Sequence, residues 1–135
     1  MGTAVMKYGD FQIDLNTINN VLQFELVYHQ REDTLFIRPH VPKPAISMDW
    51  EGEVWIRFDP KSGEILGFEI NDFEHHFLKS HTTLASAWKE IKPMISKQKA
   101  DGNRENFLKK LLEFILSLIN NCPQQEKIEI LPALT

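Results

Sequence analysis

Acidic residues and histidines, the side chains that most often ligate metals, cluster between positions 72 and 81. They are Asp72, Glu74, His75, His76 and His81. Asp72 and His76 are four residues apart, so on a helix they would share one face, as a pair of metal ligands does. His75 and His76 would point about 100° apart on the same helix. Because there is no HExxH motif and no neighbouring cysteine, the pattern favours surface histidines, with Asp72 capping a helix, over a metal site.

A second set of carboxylates alternates at Asp49, Glu51 and Glu53. On a regular strand they would lie on one face, where they could bind a divalent cation or supply an acid and a base. Gly52 interrupts the pattern and favours a turn instead. The residues from both sets whose convergence would decide for a site are Asp49, Glu51, Asp72, His75 and His76. We assign no catalytic, cofactor-binding or metal-binding residue from the sequence.

Aromatic and basic side chains alternate at Trp55 and Arg57, which is the pattern of a stacking platform for single-stranded nucleic acid. The chain carries a formal net charge of −4, opposite to what a phosphate backbone attracts. We therefore expect no nucleic-acid partner, and we expect the C-terminal helices to cover this face of the sheet.

Length and composition indicate one domain of an ordinary globular protein. The chain has 135 residues, of which 42% are hydrophobic and 25% charged. A single cysteine, Cys122, fits a reducing compartment and a structural position near a helix end. No apolar stretch has the length of a signal peptide or of a membrane span. These features predict a cytoplasmic protein without a membrane partner.

A β-hairpin is predicted over residues 54–70, and the rest of the chain is arranged around it. Apolar residues alternate on two runs, 54–58 and 66–70, and Pro60 and Gly63 lie in the turn between them. Asp59 is expected to accept hydrogen bonds from the amides of Lys61 or Ser62.

Other alternating runs predict further strands. Residues 8–15 and 21–28 are expected to form a first hairpin around a turn at 16–20, and strands are expected at 34–38 and 46–50. Short strands joined by short turns predict an antiparallel meander of about four to six strands. The loop between the last two carries prolines at positions 39, 42 and 44, which fix an extended backbone.

Helical spacing begins after Asp72. A short helix is expected at 73–79, and a second is expected to start at Thr82 or Thr83 and to break or kink at Pro93. Its apolar stripe consists of Leu84, Trp88, Ile91 and Ile95. After a linker at 98–103, Asn103 is expected to cap a helix over 104–120, and the segment 127–131 could add an edge strand or a swapped tail.

The fold class predicted from these elements is α+β, an antiparallel meander packed against C-terminal helices. One domain, 1–135, would comprise a sheet at 1–72, helices at 73–122 and a tail at 123–135. The helix at 104–120 has an apolar arc of roughly 200°, wider than one contact surface needs. We expect it to meet its own sheet and either the preceding helix or a partner subunit, which predicts a homodimer through this helix.

Part of the sequence resembles a bacterial domain-of-unknown-function family of small antiparallel meander proteins. The family pattern is D-x-L-x-I followed by D-x-x-x-G-x-I-x-G-x-E-I. The matching residues here are Asp33, Leu35, Ile37, Asp59, Gly63, Ile65, Gly67, Glu69 and Ile70. The resemblance implies a small antiparallel sheet, and it brings no assigned catalytic residues.

Two functional hypotheses follow. The first is a non-catalytic binding or protein-interaction module that acts as a homo-oligomer. The second is a small metal-dependent enzyme or metal-binding protein that uses carboxylates and histidines near the central hairpin.

Overall fold

The computed structural model describes residues 2–95, 102–121 and 128–132, and within them two antiparallel sheets and a helical layer. The eight strands are β1 (Gly2–Tyr8), β2 (Phe11–Asp14), β3 (Glu25–His29), β4 (Thr34–Arg38), β5 (Ile46–Trp50), β6 (Val54–Phe58), β7 (Ile65–Ile70) and β8 (Ile128–Pro132). The helical segments are a 3₁₀-helix (Leu15–Gln23), a π-helical turn (Phe73–Phe77), α1 (Leu78–Ser80), α2 (Thr82–Ile95) and α3 (Gly102–Asn121). The predicted α+β class with an antiparallel meander is confirmed.

The larger sheet has five strands in the order β3-β4-β7-β6-β5, with every neighbouring pair antiparallel. The predicted hairpin is its β6–β7 pair. Gly63 has a φ of +78°, and the Asp59 carboxylate accepts from the amides of Lys61 at 2.8 Å and Ser62 at 3.4 Å, as expected. A β-bulge follows Arg57 and shifts the register of the pair.

One face of this sheet carries the hydrophobic core. The alternating residues Val54, Ile56 and Phe58 are buried, and Ile56 pairs with Phe68 across the hairpin. The same core includes Trp88 and Leu111 from the helices. The alternating apolar residues of the strands therefore lie on the face that the helices cover.

The smaller sheet differs from the prediction. It has the order β2-β1-β8, and β1 runs antiparallel to both neighbours, with Gly2 opposite Pro132. The sequence predicts no strand over the residues that precede Tyr8, because apolar and polar residues alternate only weakly there. The tail does form an edge strand, as one of the two predictions for 127–131 proposed.

The predicted first hairpin is wrong, because residues Leu15–Gln23 form a 3₁₀-helix between β2 and β3. The Asp14 carboxylate accepts from the amide of Asn16 at 3.0 Å and starts this helix. The hydroxyl of Thr17 then accepts from the amide of Ile65 at 2.8 Å, which ties the helix to β7. Two side chains thus override an alternating pattern that by itself indicated a turn between two strands.

In the helical layer, the predicted stripe of α2 is buried at Leu84, Trp88 and Ile91. The helix does not break at Pro93 but continues to Ile95. The helix α3 begins at Gly102, so Asn103 lies within it and not before its predicted start at 104. The remainder of the predicted linker, residues 98–101, lies outside the described residues, as do Cys122 and residues 123–127.

The wide apolar arc of α3 is covered largely within its own chain. Six of its nine apolar positions are buried and the other three half-buried. The helix contacts α2 and the 3₁₀-helix. Phe107 packs on Phe73 and Trp88, and Phe114 packs on Phe77. The sequence left open whether the preceding helix or a partner subunit covers the second part of this arc. The preceding helix, α2, covers most of it.

Candidate functional site

Most of the carboxylates and histidines singled out in the sequence do not converge, but Glu53 and His81 do. Oε2 of Glu53 lies 3.5 Å from Nε2 of His81. Asp49 is exposed on β5, and Glu51 lies in the following turn with a φ of +56°. The strand ends at Trp50, so Asp49, Glu51 and Glu53 do not form a row on one face. Asp72 and His76 are exposed and follow β7, at the same end of the sheet as the turn of Glu51. Within residues 2–95, 102–121 and 128–132, no three histidine, cysteine or acidic side chains are placed to hold a metal ion.

The expected cap of the helix at 73 is a different aspartate. Asp72 has a left-handed backbone, and its side chain makes no capping hydrogen bond. The carboxylate of Asp33 instead accepts from the amides of Glu74 at 2.8 Å and His75 at 3.0 Å. A residue from the β3–β4 turn therefore caps a helical segment about forty positions later in the chain. Because capping rules consider local sequence only, sequence reasoning missed it.

Asp33 is 6% exposed, and each of its oxygens accepts two hydrogen bonds. Besides the two amides, the donors are the hydroxyl of Tyr28 at 2.7 Å and Nδ1–H of His75 at 2.7 Å. Burial raises the pKa of this carboxyl, but the bonds from the Glu74 amide, Tyr28 and His75 outweigh it and lower the pKa to about 2. Burial and the neighbouring Asp33 charge raise the pKa of Tyr28 well above its ordinary value.

Glu74 extends this cluster to α2. Its carboxylate accepts from Trp88 Nε1 at 2.7 Å and pairs with Lys92 Nζ at 2.7 Å. Burial raises the pKa of Glu74, but the hydrogen bonds from Lys92 and Trp88 outweigh burial, so the pKa lies below its ordinary value. The ammonium of Lys92 also lies 5.5 Å from the centre of the Tyr28 ring. We call these five residues (Tyr28, Asp33, Glu74, Trp88 and Lys92), together with His75, the Asp33 clamp.

The Asp33 clamp holds elements together and leaves little acceptor capacity for a ligand. It joins the β3–β4 hairpin to the π-helical turn and to α2. Four hydrogen bonds occupy the main lone-pair directions of the Asp33 carboxylate, so a metal could bind there only by displacing one of them. The imidazole of His75 is 78% exposed, which leaves its other nitrogen at the surface.

The face of the five-stranded sheet opposite the core differs from expectation, because the helices do not cover it. Trp55 is 37% exposed, and its neighbour Asp49 is exposed as well. Two parallel rows of side chains cross this open face. The Glu69 row consists of Val27, Phe36, Glu69, Trp55 and Asp49. The Arg57 row consists of Glu25, Arg38, Gly67, Arg57 and Ser47.

The charges at the centre of the open face have few partners in the described part of the chain. There, the side chains of Glu69 and Arg57 make no hydrogen bond and no ion pair, and Nε of Arg57 is buried without an acceptor. The guanidinium of Arg38 lies 5.3 Å from the centre of the Phe36 ring. These charges are half-buried and have no ion pair, so a partner of opposite charge could bind them. We take the open face as the candidate functional site.

Among the described residues, none of the helices has the length and apolar character that crossing a bilayer requires. Searches of the chain against family models, curated proteins and solved structures found no match. The open face is thus interpreted from its own residues, and the family resemblance noted in the sequence stays a prediction.

Proposed function

We propose that this protein is a non-catalytic interaction module that associates with itself, and that its docking surface is the open face of the five-stranded sheet. The observation that carries the proposal is the group of aromatic and charged side chains at the centre of that face. Trp55 and Phe36 offer apolar area, and Arg38, Arg57 and Glu69 offer charges without ion-pair partners among the described residues. Tryptophan and arginine are the residue types that most often dominate binding energy at interfaces.

The alternative dimer through α3 has less support. This dimer was predicted because the apolar arc of α3 is too wide for one surface. However, six of the nine apolar positions are already buried against the same chain. The three remaining positions, Phe114, Leu116 and Leu118, are half-buried and pack against the core. They leave only a narrow strip for a partner.

The metal-dependent alternative also has less support. Its four residues, Asp49, Glu51, Asp72 and His76, do not form a group that could hold a metal ion. The buried carboxylates Asp33 and Glu74 are taken up by hydrogen bonds and an ion pair within the Asp33 clamp. These observations favour the open face over a metal site.

Sedimentation equilibrium tests the proposal. The wild-type protein should shift from 15.7 kDa toward twice that mass as its concentration rises from about 1 to about 500 μM. Trp55→Thr should weaken the association at least about tenfold, as expected for a tryptophan at the centre of an interface. Tyr8→Thr is the matched control, because Tyr8 is also 37% exposed but lies on β1 of the smaller sheet.

Two results would contradict the proposal. One is a protein that stays monomeric over the whole range. The other is a dimer that Leu118→Asn on α3 weakens and Trp55→Thr does not, which would place the interface on the helix.

A further inference from the structure

The two rows of the open face are complementary to each other. The Glu69 row presents an acidic group between Phe36 and Trp55, and the Arg57 row presents two arginines on either side of Gly67. Each row therefore carries what the other would bind. A surface with this property can pair with a second copy of itself through a two-fold axis.

We propose, building on the function proposed above, that the open faces of two copies pack in one defined register that exchanges the two rows. The two-fold axis would lie in the interface, perpendicular to the strands, and pass between the rows. This axis places each strand opposite the same strand of the second copy, and each row opposite the other row. Each residue therefore faces the residue of the second copy that lies on the same strand in the other row.

The register predicts specific contacts. Trp55 on β6 meets Arg57 of the second copy, and Phe36 on β4 meets Arg38 of the second copy. Both are arginine–aromatic pairs, the geometry that Arg38 and Phe36 already adopt within one chain at 5.3 Å. Each pair occurs twice because the axis is two-fold.

Glu69 on β7 has the most informative position. Its counterpart in the other row is Gly67, which contributes no side chain, and β7 lies between β4 and β6. The Glu69 carboxylate would therefore meet Arg38 and Arg57 of the second copy, the arginines on the strands to either side. This contact gives a carboxylate partner to the guanidinium of Arg57, which forms no ion pair among the described residues.

A second copy fits this surface better than a nucleic acid does. Trp55 and the two arginines alone would suit a single strand, but Glu69 lies at the centre of the face and Asp49 at its edge. These carboxylates would repel phosphates, and the chain as a whole is acidic. In the exchanged register the same carboxylate is attractive.

The size of the face sets the expected strength. Five strands about 4.8 Å apart and about 17 Å long make a footprint of roughly 400 Å² per copy. Stable complexes typically bury about 800 Å² per partner, so the dimer should be weak and form only at high concentration.

A charge-exchange experiment tests the register. Glu69→Lys places a lysine against the two arginines of a second copy, and the double variant Arg38→Glu/Arg57→Glu places two glutamates against Glu69. Each variant alone should associate at least about tenfold more weakly than the wild type. In an equimolar mixture all facing charges are opposite again, so heterodimers should form more tightly than either variant associates alone. Their affinity should stay below that of the wild type, because two of the four arginine–aromatic pairs are lost.

Matched controls separate the register from net charge. Asp10→Lys and the double variant Lys79→Glu/Lys89→Glu change the net charge by the same amounts at exposed positions away from the open face. Their mixture should associate no more tightly than either alone. Urea unfolding of all four proteins checks that each remains folded.

The outcomes separate this inference from the proposed function. If the wild type associates and Trp55→Thr weakens it, but the mixture of charge variants shows no rescue, the register is wrong and the proposed function stands. If the control mixture is rescued equally, attraction between net charges explains the effect, and the register is again wrong. A wild type that never associates overturns both.

Discussion

The substitution Asp33→Asn should destabilise the protein because it removes the charge at the centre of the Asp33 clamp. Asparagine has nearly the same shape and tolerates the positive φ of +51° at this position. Its amide can still accept through one oxygen, but the NH₂ group would face the amide and the ring Nδ1–H of His75, both of which are donors. The variant therefore tests the carboxylate and leaves the backbone conformation unchanged.

The expected size follows from the pKa of Asp33. It lies at about 2, against an ordinary value of 3.8. At about 1.4 kcal/mol for each unit of pKa, the ionised carboxylate stabilises the fold by about 2 kcal/mol. Because the pKa is lower in the folded state, this stabilisation is fully present above about pH 4 and is lost as the pH falls toward 2. Asp33 is 6% exposed, so solvent screening reduces the figure little.

Urea unfolding monitored by tryptophan fluorescence, at pH 7 and near pH 2, measures both parts of the prediction. At pH 7 the variant should be about 2 kcal/mol less stable than the wild type, and near pH 2 the difference should largely vanish. Asp72→Asn is the matched control. Asp72 has the same residue type and a φ of +50°, but makes no capping bond, so its substitution should change stability by less than about 0.5 kcal/mol.

An equal loss of stability for Asp33→Asn at both pH values would contradict this prediction, because a loss independent of pH would come from packing and not from the charge. A loss for Asp72→Asn as large as that for Asp33→Asn would also contradict it, because Asp72 would then be the cap.

Three further predictions concern other parts of the fold. Because burial and Asp33 raise the pKa of Tyr28, its phenol should stay neutral at pH 10, and the folded wild type and Tyr28→Phe should show the same phenolate absorbance there. The stability that this group contributes is present below about pH 10 and is lost as the pH rises above it. A larger phenolate signal in the folded wild type would contradict the raised pKa. Gly67→Ala should prevent folding or lower the free energy of unfolding in urea by more than about 3 kcal/mol, because the added Cβ would lie 2.0 Å from the carbonyl oxygen of Ile37. Gly52→Ala, with open space around the added Cβ, should lower it by only about 1 kcal/mol, and equal losses would show that backbone strain alone matters. Leu111→Ala, on the buried side of α3, should lower the free energy of unfolding by about 2–5 kcal/mol, and Leu118→Ala, at a half-buried position, should lower it clearly less. Equal losses would mean that something beyond the described residues buries Leu118.

Sequence reasoning succeeded where the determinants are local. The β6–β7 hairpin needs only an alternating pattern and the turn chemistry of Asp59 and Gly63, all within 17 residues. The apolar stripe of α2 and the extent of α3 follow in the same way from helical spacing.

Two of the wrong predictions depend on long-range contacts. The 3₁₀-helix is fixed in part by the bond between Thr17 and Ile65, 48 residues apart, and the cap on the π-helical turn comes from Asp33, 41 residues away. The open face was missed for a related reason. Alternation at Trp55 and Arg57 shows that they share a face, but not whether the helices pack on that side.

The pairing of the first strand with the last has a consequence for how the protein is made. Gly2 and Pro132 are opposite each other, so β1 cannot pair with β8 until the whole stretch of chain between them has been synthesised. The β6–β7 hairpin and its sheet can form well before that, because their contacts close over far fewer residues. The β1–β8 pair should therefore form after the five-stranded sheet during synthesis, and until then the edge of β1 that β8 covers is open to chaperones or to mispairing.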